Sequence, residues 1–150
     1  MKKLLIIGLL LLAGYAYITN QHGPALSGAP VSAAAQSAVN SDAIIANAFA
    51  SHESNVQVSG EGVVVRLLPD DRSGSRHQRF IIKLVSGQTL LVAHNIDLAP
   101  RISSIREGGT IQFKGEYVWN EKGGVLHWTH RDPNGSHTAG WIKYEGQTYQ

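Results

Sequence analysis

Short runs in which apolar and polar residues alternate constrain the fold of this chain more than any other feature. An apolar side chain at every second position indicates a strand with one buried face. Glycine, proline, aspartate and asparagine separate the runs, as is typical of turns. The runs cover residues 56–68, 80–85, 89–93, 111–119, 125–129 and 141–144. This pattern predicts a mainly β domain over residues 55–150.

The spacing of the apolar residues changes once inside this domain, from every second position to a helical repeat. Leu98, Ile102 and Ile105 are spaced i, i+4 and i+7, which predicts a short helix between the third and fourth strands. Three strands, a helix and then two or more strands is the order of a five-stranded OB-type barrel. Gly60 and Gly62 suit the bulge or sharp bend that a long first strand needs in such a barrel. A small β-sandwich is the alternative fold.

The N-terminus has the pattern of an export signal. Lys2 and Lys3 precede an apolar run over residues 4–18, which is shorter than the roughly 20 residues of a membrane-spanning helix. We therefore expect residues 1–19 to be a signal peptide or an uncleaved anchor in the inner membrane. The rest of the chain is then periplasmic or secreted.

Two further segments precede the β domain. Residues 20–40 are rich in alanine, serine, glycine and proline, which predicts a flexible linker. Residues 41–53 are expected to form a short helix, because Ser41 and Asp42 can cap it. One face of this helix is apolar and is expected to pack on the domain; its residues are Ile44, Ile45, Ala48 and Phe49.

Composition excludes several kinds of chemistry. The chain has no cysteine, so it has neither disulfides nor thiolate ligands nor a cysteine nucleophile. It also lacks the P-loop, G-x-S-x-G and H-E-x-x-H motifs. Residues 66–106 carry seven basic and three acidic side chains. This half of the domain is suited to attract an anion such as a nucleic acid, unless these charges are ordinary solvated groups on strand faces.

A histidine-rich segment near the C-terminus is a candidate metal site. Its four ligand candidates are His127, His130, Asp132 and His137, which suit Zn²⁺, Mg²⁺ or Mn²⁺; no organic cofactor is expected. The turn sequence 132–135 is expected to fold His137 back. In a straight strand His127 and His130 face opposite sides, so they converge only if the strand ends near Trp128. The alternative is that these histidines hydrogen-bond a loop or pack beside tryptophans.

A second polar cluster follows the third strand. His94 is a candidate general base, and Arg101 is a candidate clamp for an anion one helical turn beyond Asp97. Together with His127, these three residues are the candidate catalytic set. Asp97 has an alternative role as the cap of the predicted helix.

Substrate-binding candidates lie at the start of the second strand and among the aromatic residues. Arg76, His77 and Arg79 supply charge and hydrogen-bond donors. Trp119 and Trp128 are candidates to stack on a base or a sugar. The alternative for both tryptophans is a place in the core or at its rim.

Several motifs resemble those of a family of small exported bacterial proteins that is known only as a domain of unknown function. The resemblance covers about residues 55–150 and implies export and a compact single domain. It carries no established activity and no catalytic residues. Its motifs are HQRF (77–80), AHNIDLAPRI (93–102), GVLHWTHRDP (124–133), His137 and GWI (140–142).

Three functions fit these observations. The first is an exported hydrolase of phosphodiesters, namely a metal-dependent nuclease whose metal activates a water molecule. The second is a non-catalytic binding module for nucleic acid or for cell-envelope glycan. The third is a periplasmic metal-binding protein. The expected partners are a nucleic acid or another polyanion, and the inner membrane if the leader is not cleaved; no protein partner is predicted.

Overall fold

A helix precedes the β domain. The computed structural model describes residues 33–150, with side chains from residue 40 onward. Helix α1, Ala33–Ala50, begins eight residues before the predicted start at residue 41. Residues 33–35 are alanines, the strongest helix formers, so the last part of the predicted linker is helical. The predicted leader and the remaining linker residues lie outside the described part of the chain. No helix within residues 33–150 is long and apolar enough to cross a membrane.

Helix α1 is fixed to the domain by one face and by its C-terminus. Ile45 and Ala48 are buried in the core, whereas Ile44 is exposed. The helix ends at Ala50, and His52 then takes a positive φ of 56°. The backbone N–H of Glu53 donates to the carbonyl of Ala48 at 2.8 Å, which is the pattern of a Schellman cap.

Seven strands follow the helix, and all six predicted strands are among them. The seventh is a short strand at the C-terminus that the sequence pattern did not indicate. The strands are β1 (Val56–Asp71), β2 (His77–Lys83), β3 (Thr89–Asn95), β4 (Thr110–Val118), β5 (Val125–His127), β6 (Trp141–Tyr144) and β7 (Gln147–Tyr149).

Five of the strands close into a ring in the order β1-β2-β3-β5-β4. The long strand β1 closes it, because its first half pairs with β4 and its second half pairs with β2. Strand β3 pairs with β5 in parallel, and every other pairing is antiparallel. Strands β6 and β7 extend the sheet beyond the ring from β4. The fold is therefore mainly β, as predicted.

The glycines of β1 lie where the strand passes closest to its neighbours. A Cβ atom at Gly60 would be 3.0 Å from Cζ of Phe113, and one at Gly62 would be 3.1 Å from Cδ1 of Ile82. The break in pairing register comes slightly later, between Val64 and Arg66. The glycines therefore allow β1 to pack closely against Phe113 and Ile82, and the β-bulge lies after them in the strand.

The core fills the ring with the apolar positions that the alternation predicted. On β4 Ile111, Phe113 and Tyr117 are fully buried, and on β2 Phe80 and Ile82 are fully buried. Gln112 and Lys114 project from the other side of β4, where they are exposed or half-buried. The period-two pattern thus determines which side of each strand faces the interior.

The predicted helix between the third and fourth strands is wrong. Residues 96–109 form a series of turns. The side-chain amide of Gln78 donates to the carbonyl of Ile102 at 3.0 Å and accepts from its N–H at 2.9 Å. Because one buried side chain satisfies both backbone groups of Ile102, this segment can bury Ile102 and Ile105 without helical hydrogen bonds. Leu98, the third residue of the apolar pattern, remains 44 % exposed.

Candidate functional site

The histidine-rich segment is a loop that interrupts one edge of the sheet. His127 of β5 pairs with Glu116, and Trp141 of β6 pairs with Lys114. The chain thus leaves the edge of β4 after His127 and rejoins it at Trp141. We call residues 128–140 the site loop. Where the site loop begins, its backbone passes very close to β4, since a Cβ atom at Gly115 would lie 2.5 Å from the carbonyl oxygen of His127. We call this close approach of Gly115 and His127 the neck of the site loop.

The strand ends where the site loop begins. Strand β5 stops at His127, and Trp128 takes a positive φ of 53°, which is rare for a residue with a bulky side chain. The end of the strand near Trp128 is the condition under which His127 and His130 were expected to converge. They do not meet at a common partner: His130 is buried, and its Nδ1 donates to the carbonyl of Arg131 at 2.7 Å.

Asp132 holds the site loop closed. Its Oδ1 accepts from the backbone N–H of Asn134 at 2.9 Å, and its Oδ2 accepts from the N–H groups of Ser136 at 2.8 Å and His137 at 2.7 Å. The backbone donors, with that of Asn134 first, hold the pKa of Asp132 below its ordinary value. Both oxygens of Asp132 thus accept hydrogen bonds from the loop, and its role as a metal ligand stays a prediction. Its effect is to turn His137 back toward the sheet.

His127 and His137 meet at a carboxylate on β4. Nε2 of His137 lies 2.8 Å from Oε2 of Glu116, and Nε2 of His127 lies 3.5 Å from Oε1. Gln57 donates its side-chain amide to the same Oε2 at 3.2 Å. Glu116 is only 8 % exposed. We call Glu116, His127 and His137 the Glu116 cluster.

The cluster is partly shielded from water. Burial lowers the pKa of His127, and the charge of Glu116 opposes that shift. Nε2 of His127 is buried and lies 3.5 Å from Oε1 of Glu116 without forming a hydrogen bond. Among residues 33–150, no three histidine, aspartate or glutamate side chains are already arranged around a metal position. The predicted set of four ligands is therefore not assembled in the structure.

Trp128 packs on the cluster. Its ring stacks on that of His137 with centroids 3.9 Å apart and planes 5° apart, and it also contacts His130 at 5.3 Å. Trp119 packs on His52 with a centroid distance of 4.2 Å. Both tryptophans thus have a histidine ring as a partner, and their role in stacking on a substrate stays a prediction.

His94 lies in the interior and not at a surface. It is completely buried; Nδ1 lies 2.8 Å from the hydroxyl of Thr129 and Nε2 lies 3.2 Å from the carbonyl of Pro100. Because a carbonyl only accepts, Nε2 carries the proton and Nδ1 accepts from Thr129. Burial lowers the pKa of His94 to about 4. Both ring nitrogens of His94 are thus hydrogen-bonded inside the core, an arrangement that does not favour its predicted role as a general base.

The other two members of the predicted catalytic set are engaged in separate ion pairs. Asp97 binds Arg76 through Nε at 2.6 Å and through its backbone N–H at 2.7 Å. These two donors lower the pKa of Asp97. Arg101 pairs instead with Asp70. The spacing of Asp97 and Arg101 by one helical turn assumed a helix, which does not form, and the two residues have different partners. Their catalytic roles and the substrate-binding role of Arg76 stay predictions.

A groove crosses the outer face of the ring beside the cluster. Its volume is about 320 Å³. Its apolar lining comes from Leu91, Ala93, Val118 and Val125. Its polar lining comes from Asp71, His77, Arg79 and His127. Arg79 donates from Nε to the carbonyl of Pro69 at 3.0 Å and forms no ion pair within the described residues. Two of the predicted substrate-binding residues, His77 and Arg79, and one predicted catalytic residue, His127, therefore share one cavity.

The sequence reasoning missed Glu116 and Gln57. Alternation had placed Glu116 on the outer face of the fourth strand, but which residue lies opposite it depends on the pairing register with β5. Gln57 reaches Glu116 only because β1 pairs with β4 through Gln57 and Glu116. A cross-strand pairing of a glutamate with a histidine is the signal that could have identified the cluster.

Comparison with known proteins places the chain in one family. A family model described as "Protein of unknown function (DUF3465)" matches residues 28–150. The chain therefore belongs to this family, which confirms the resemblance noted from the motifs. No curated protein matches the chain significantly.

Proposed function

We propose that this member of the DUF3465 family is a binding module for single-stranded nucleic acid. The observation that carries the proposal is the groove on the outer face of the ring, where His77, Arg79 and His127 surround an apolar floor. The proposal treats the ring of five strands as an OB-type barrel. In such barrels the face over strands two and three binds oligonucleotides and oligosaccharides.

The chemistry of the groove suits one nucleotide unit. Its volume of about 320 Å³ is at the lower end of the range of ligand pockets. The apolar floor can cover the face of a base, and the guanidinium of Arg79 can bind a phosphate oxygen. A phosphate can pair with the guanidinium of Arg79, which a glycan without phosphate cannot do, so nucleic acid is favoured over glycan.

The test measures binding of a fluorescent single-stranded oligonucleotide by anisotropy at increasing salt. We expect binding that weakens as salt rises, because phosphate contacts release counterions. Arg79→Ala should weaken binding by roughly tenfold. Arg66→Ala is the matched control, since Arg66 is exposed on β1 and does not line the groove. The proposal is contradicted if the chain does not bind the oligonucleotide at low salt, or if both variants lose the same amount of affinity. If the chain binds a neutral glycan and no oligonucleotide, the groove is a glycan-binding site instead.

Hydrolysis of phosphodiesters is the second candidate, and one observation favours it. His127 belongs both to the groove and to the Glu116 cluster, so a bound phosphate would lie beside an imidazole that contacts a carboxylate. Such a pair can transfer protons. Of the catalytic set expected from the sequence, only His127 keeps this role in the proposal.

The hydrolase candidate is tested by incubating the chain with RNA and with single-stranded DNA. Reactions contain Mg²⁺, Mn²⁺ or Zn²⁺, or EDTA. Cleavage that is lost in His127→Gln while oligonucleotide binding persists supports a nuclease. If no divalent ion gives cleavage while binding is present, the protein is a binding module alone.

The proposal also includes export through residues 1–19. The support is the basic start and the apolar run over residues 4–18. A reporter enzyme that is active only outside the cytoplasm is fused after residue 40 and compared with a fusion that lacks residues 1–19. Equal reporter activity of both fusions contradicts export. Retention of the exported fusion in the membrane fraction identifies an uncleaved anchor.

A further inference from the structure

The hydrogen-bonding groups around His137 are not all satisfied when its ring is neutral. Nδ1 of His137 lies 3.3 Å from the carbonyl of Thr138, and its Nε2 lies 2.8 Å from the carboxylate of Glu116. Both partners are acceptors, and a neutral imidazole carries only one N–H. When Nδ1 donates to the carbonyl, Nε2 presents a lone pair to a carboxylate. A positive charge is then needed between Nε2 of His137 and the carboxylate of Glu116, either as a second proton on the ring or as a metal ion.

His127 adds a second nitrogen to the same carboxylate. Its Nε2 is buried and has no hydrogen-bond partner among the described residues, and it lies 3.5 Å from Oε1 of Glu116. A buried polar atom without a partner is uncommon in a native protein and calls for an explanation such as an ion. Two imidazole nitrogens and one carboxylate are thus directed at one small region.

We propose that Glu116, His127 and His137 bind a divalent transition-metal ion, with Zn²⁺ as the best-fitting class. Two ligands at about 2.0–2.2 Å from a tetrahedral zinc ion lie roughly 3.3–3.5 Å apart. Nε2 of His127 lies 3.5 Å from Oε1 of Glu116, which meets this requirement for that pair of atoms. Nε2 of His137 lies 2.8 Å from the other carboxylate oxygen, Oε2, so the carboxylate must turn or this contact must lengthen by about half an ångström as the ion enters. The ligand set differs from the predicted one, because Asp132 and His130 are replaced by Glu116.

The groups around the cluster resemble the outer shell of a metal site. Histidine ligands commonly donate their other ring N–H to a backbone carbonyl, and ligating carboxylates are themselves hydrogen-bonded. Nδ1 of His137 contacts the carbonyl of Thr138, and Gln57 donates to Glu116. The flat stacking of Trp128 on His137 restricts the orientation of the ring.

Three protein ligands leave one position of a tetrahedral ion for water or for a ligand oxygen. His127 lines the groove, so this position is adjacent to the proposed binding face. The metal site is nevertheless independent of the proposed function: the three ligands and their partners carry it, whether or not the groove binds nucleic acid.

The test is zinc binding by the untagged chain, because a histidine tag would bind the ion itself. The chain is freed of metal with EDTA, titrated with ZnCl₂ by calorimetry, and analysed for metal after dialysis. We expect a single Zn²⁺ per chain and a rise in thermal midpoint with zinc, because a ligand that binds only the folded state stabilises it. His127→Gln and Glu116→Gln should each weaken zinc binding by roughly tenfold or more.

His52→Asn is the matched control. His52 is an exposed histidine at the end of α1 with a positive φ, and asparagine tolerates this conformation. The His52→Asn variant should bind zinc as tightly as the unchanged chain does. Near-ultraviolet circular dichroism establishes that each variant is folded. Failure of the unchanged chain to take up zinc, or full zinc binding by folded His127→Gln and Glu116→Gln, overturns the proposal. Nucleic-acid binding measured in EDTA reports separately on the proposed function.

Discussion

His94 and Thr129 join the core of the ring to the site loop through one buried hydrogen bond. The hydroxyl of Thr129 donates to Nδ1 of His94 at 2.8 Å, and Nε2 of His94 donates to the carbonyl of Pro100 at 3.2 Å. A single neutral imidazole therefore links β3, the turns that follow it and the loop that carries His137. The residue that the sequence marked as a candidate general base thus lies where it connects the site loop to the core.

The first prediction concerns the dependence of stability on pH. The pKa of His94 is about 4 in the folded chain and about 6.5 in the unfolded chain. Between these values the unfolded state binds a proton that the folded state does not, so stability decreases as pH falls. The contribution of His94 is fully present above pH 6.5 and is lost at up to about 1.4 kcal/mol per pH unit down to pH 4.

Urea unfolding at a series of pH values measures this effect. His94→Gln keeps a polar side chain but removes the titration, so its free energy of unfolding should be lower at neutral pH and should decrease less between pH 6.5 and 4. His52→Asn, at an exposed histidine, should retain the full slope. An identical slope in His94→Gln and the unchanged chain would show that His94 does not titrate as stated.

The second prediction tests the hydroxyl of Thr129. Thr129→Val keeps the shape of the fully buried side chain and removes the donor to His94. The free energy of unfolding should decrease by about 1–3 kcal/mol, because a buried acceptor loses its partner. Thr148→Val, at an exposed position on β7, should change it by less than about 0.5 kcal/mol. Equal effects of the two substitutions would show that the hydrogen bond contributes nothing.

Much of the fold could be predicted from the sequence, because the alternation of apolar and polar residues indicates directly which side chains are buried. Phe80 and Ile82 alternate along one predicted strand and Ile111 and Phe113 along another, and all four are fully buried. The helix predicted over Leu98–Ile105 failed for an identifiable reason. Spacing shows which residues are buried but not what satisfies their backbone groups, and here the partner is Gln78, which is 24 residues away from Ile102.

The site was less accessible, because it depends on pairing register. The sequence identified His127 and His137, but not the carboxylate that they share. Glu116 lies opposite His127 only because β5 pairs with the end of β4, and local spacing carries no information on that pairing. The same limit explains Asp97 and Arg101, which pair with Arg76 and Asp70 across separate strands and loops.

The third prediction concerns the neck of the site loop. In Gly115→Ala the new Cβ atom would lie 2.5 Å from the carbonyl oxygen of His127 and 2.9 Å from Cγ2 of Thr129. Since backbone cannot move away as a flexible side chain can, β5 must separate from β4, and we expect a loss of stability of at least about 2 kcal/mol. Gly135→Ala is the comparison, because its Cβ would meet open space at a φ of 66° and should cost only about 1 kcal/mol. Urea unfolding of both variants measures the difference; a larger cost for Gly135→Ala would contradict the prediction.

The last prediction concerns Gln78, whose side chain replaces the helix that the sequence had indicated. Gln78→Leu keeps the approximate volume but leaves both the N–H and the carbonyl of buried Ile102 without their partner. We expect the free energy of unfolding to decrease by at least about 2 kcal/mol, since two buried backbone groups lose their hydrogen bonds. Hydrogen exchange should show faster exchange of the Ile102 amide, because its acceptor is gone. Gln112→Leu on the exposed side of β4 is the control and should leave both measurements nearly unchanged. Unchanged protection of Ile102 in Gln78→Leu would mean that the turns of residues 96–109 are held by contacts other than this side chain.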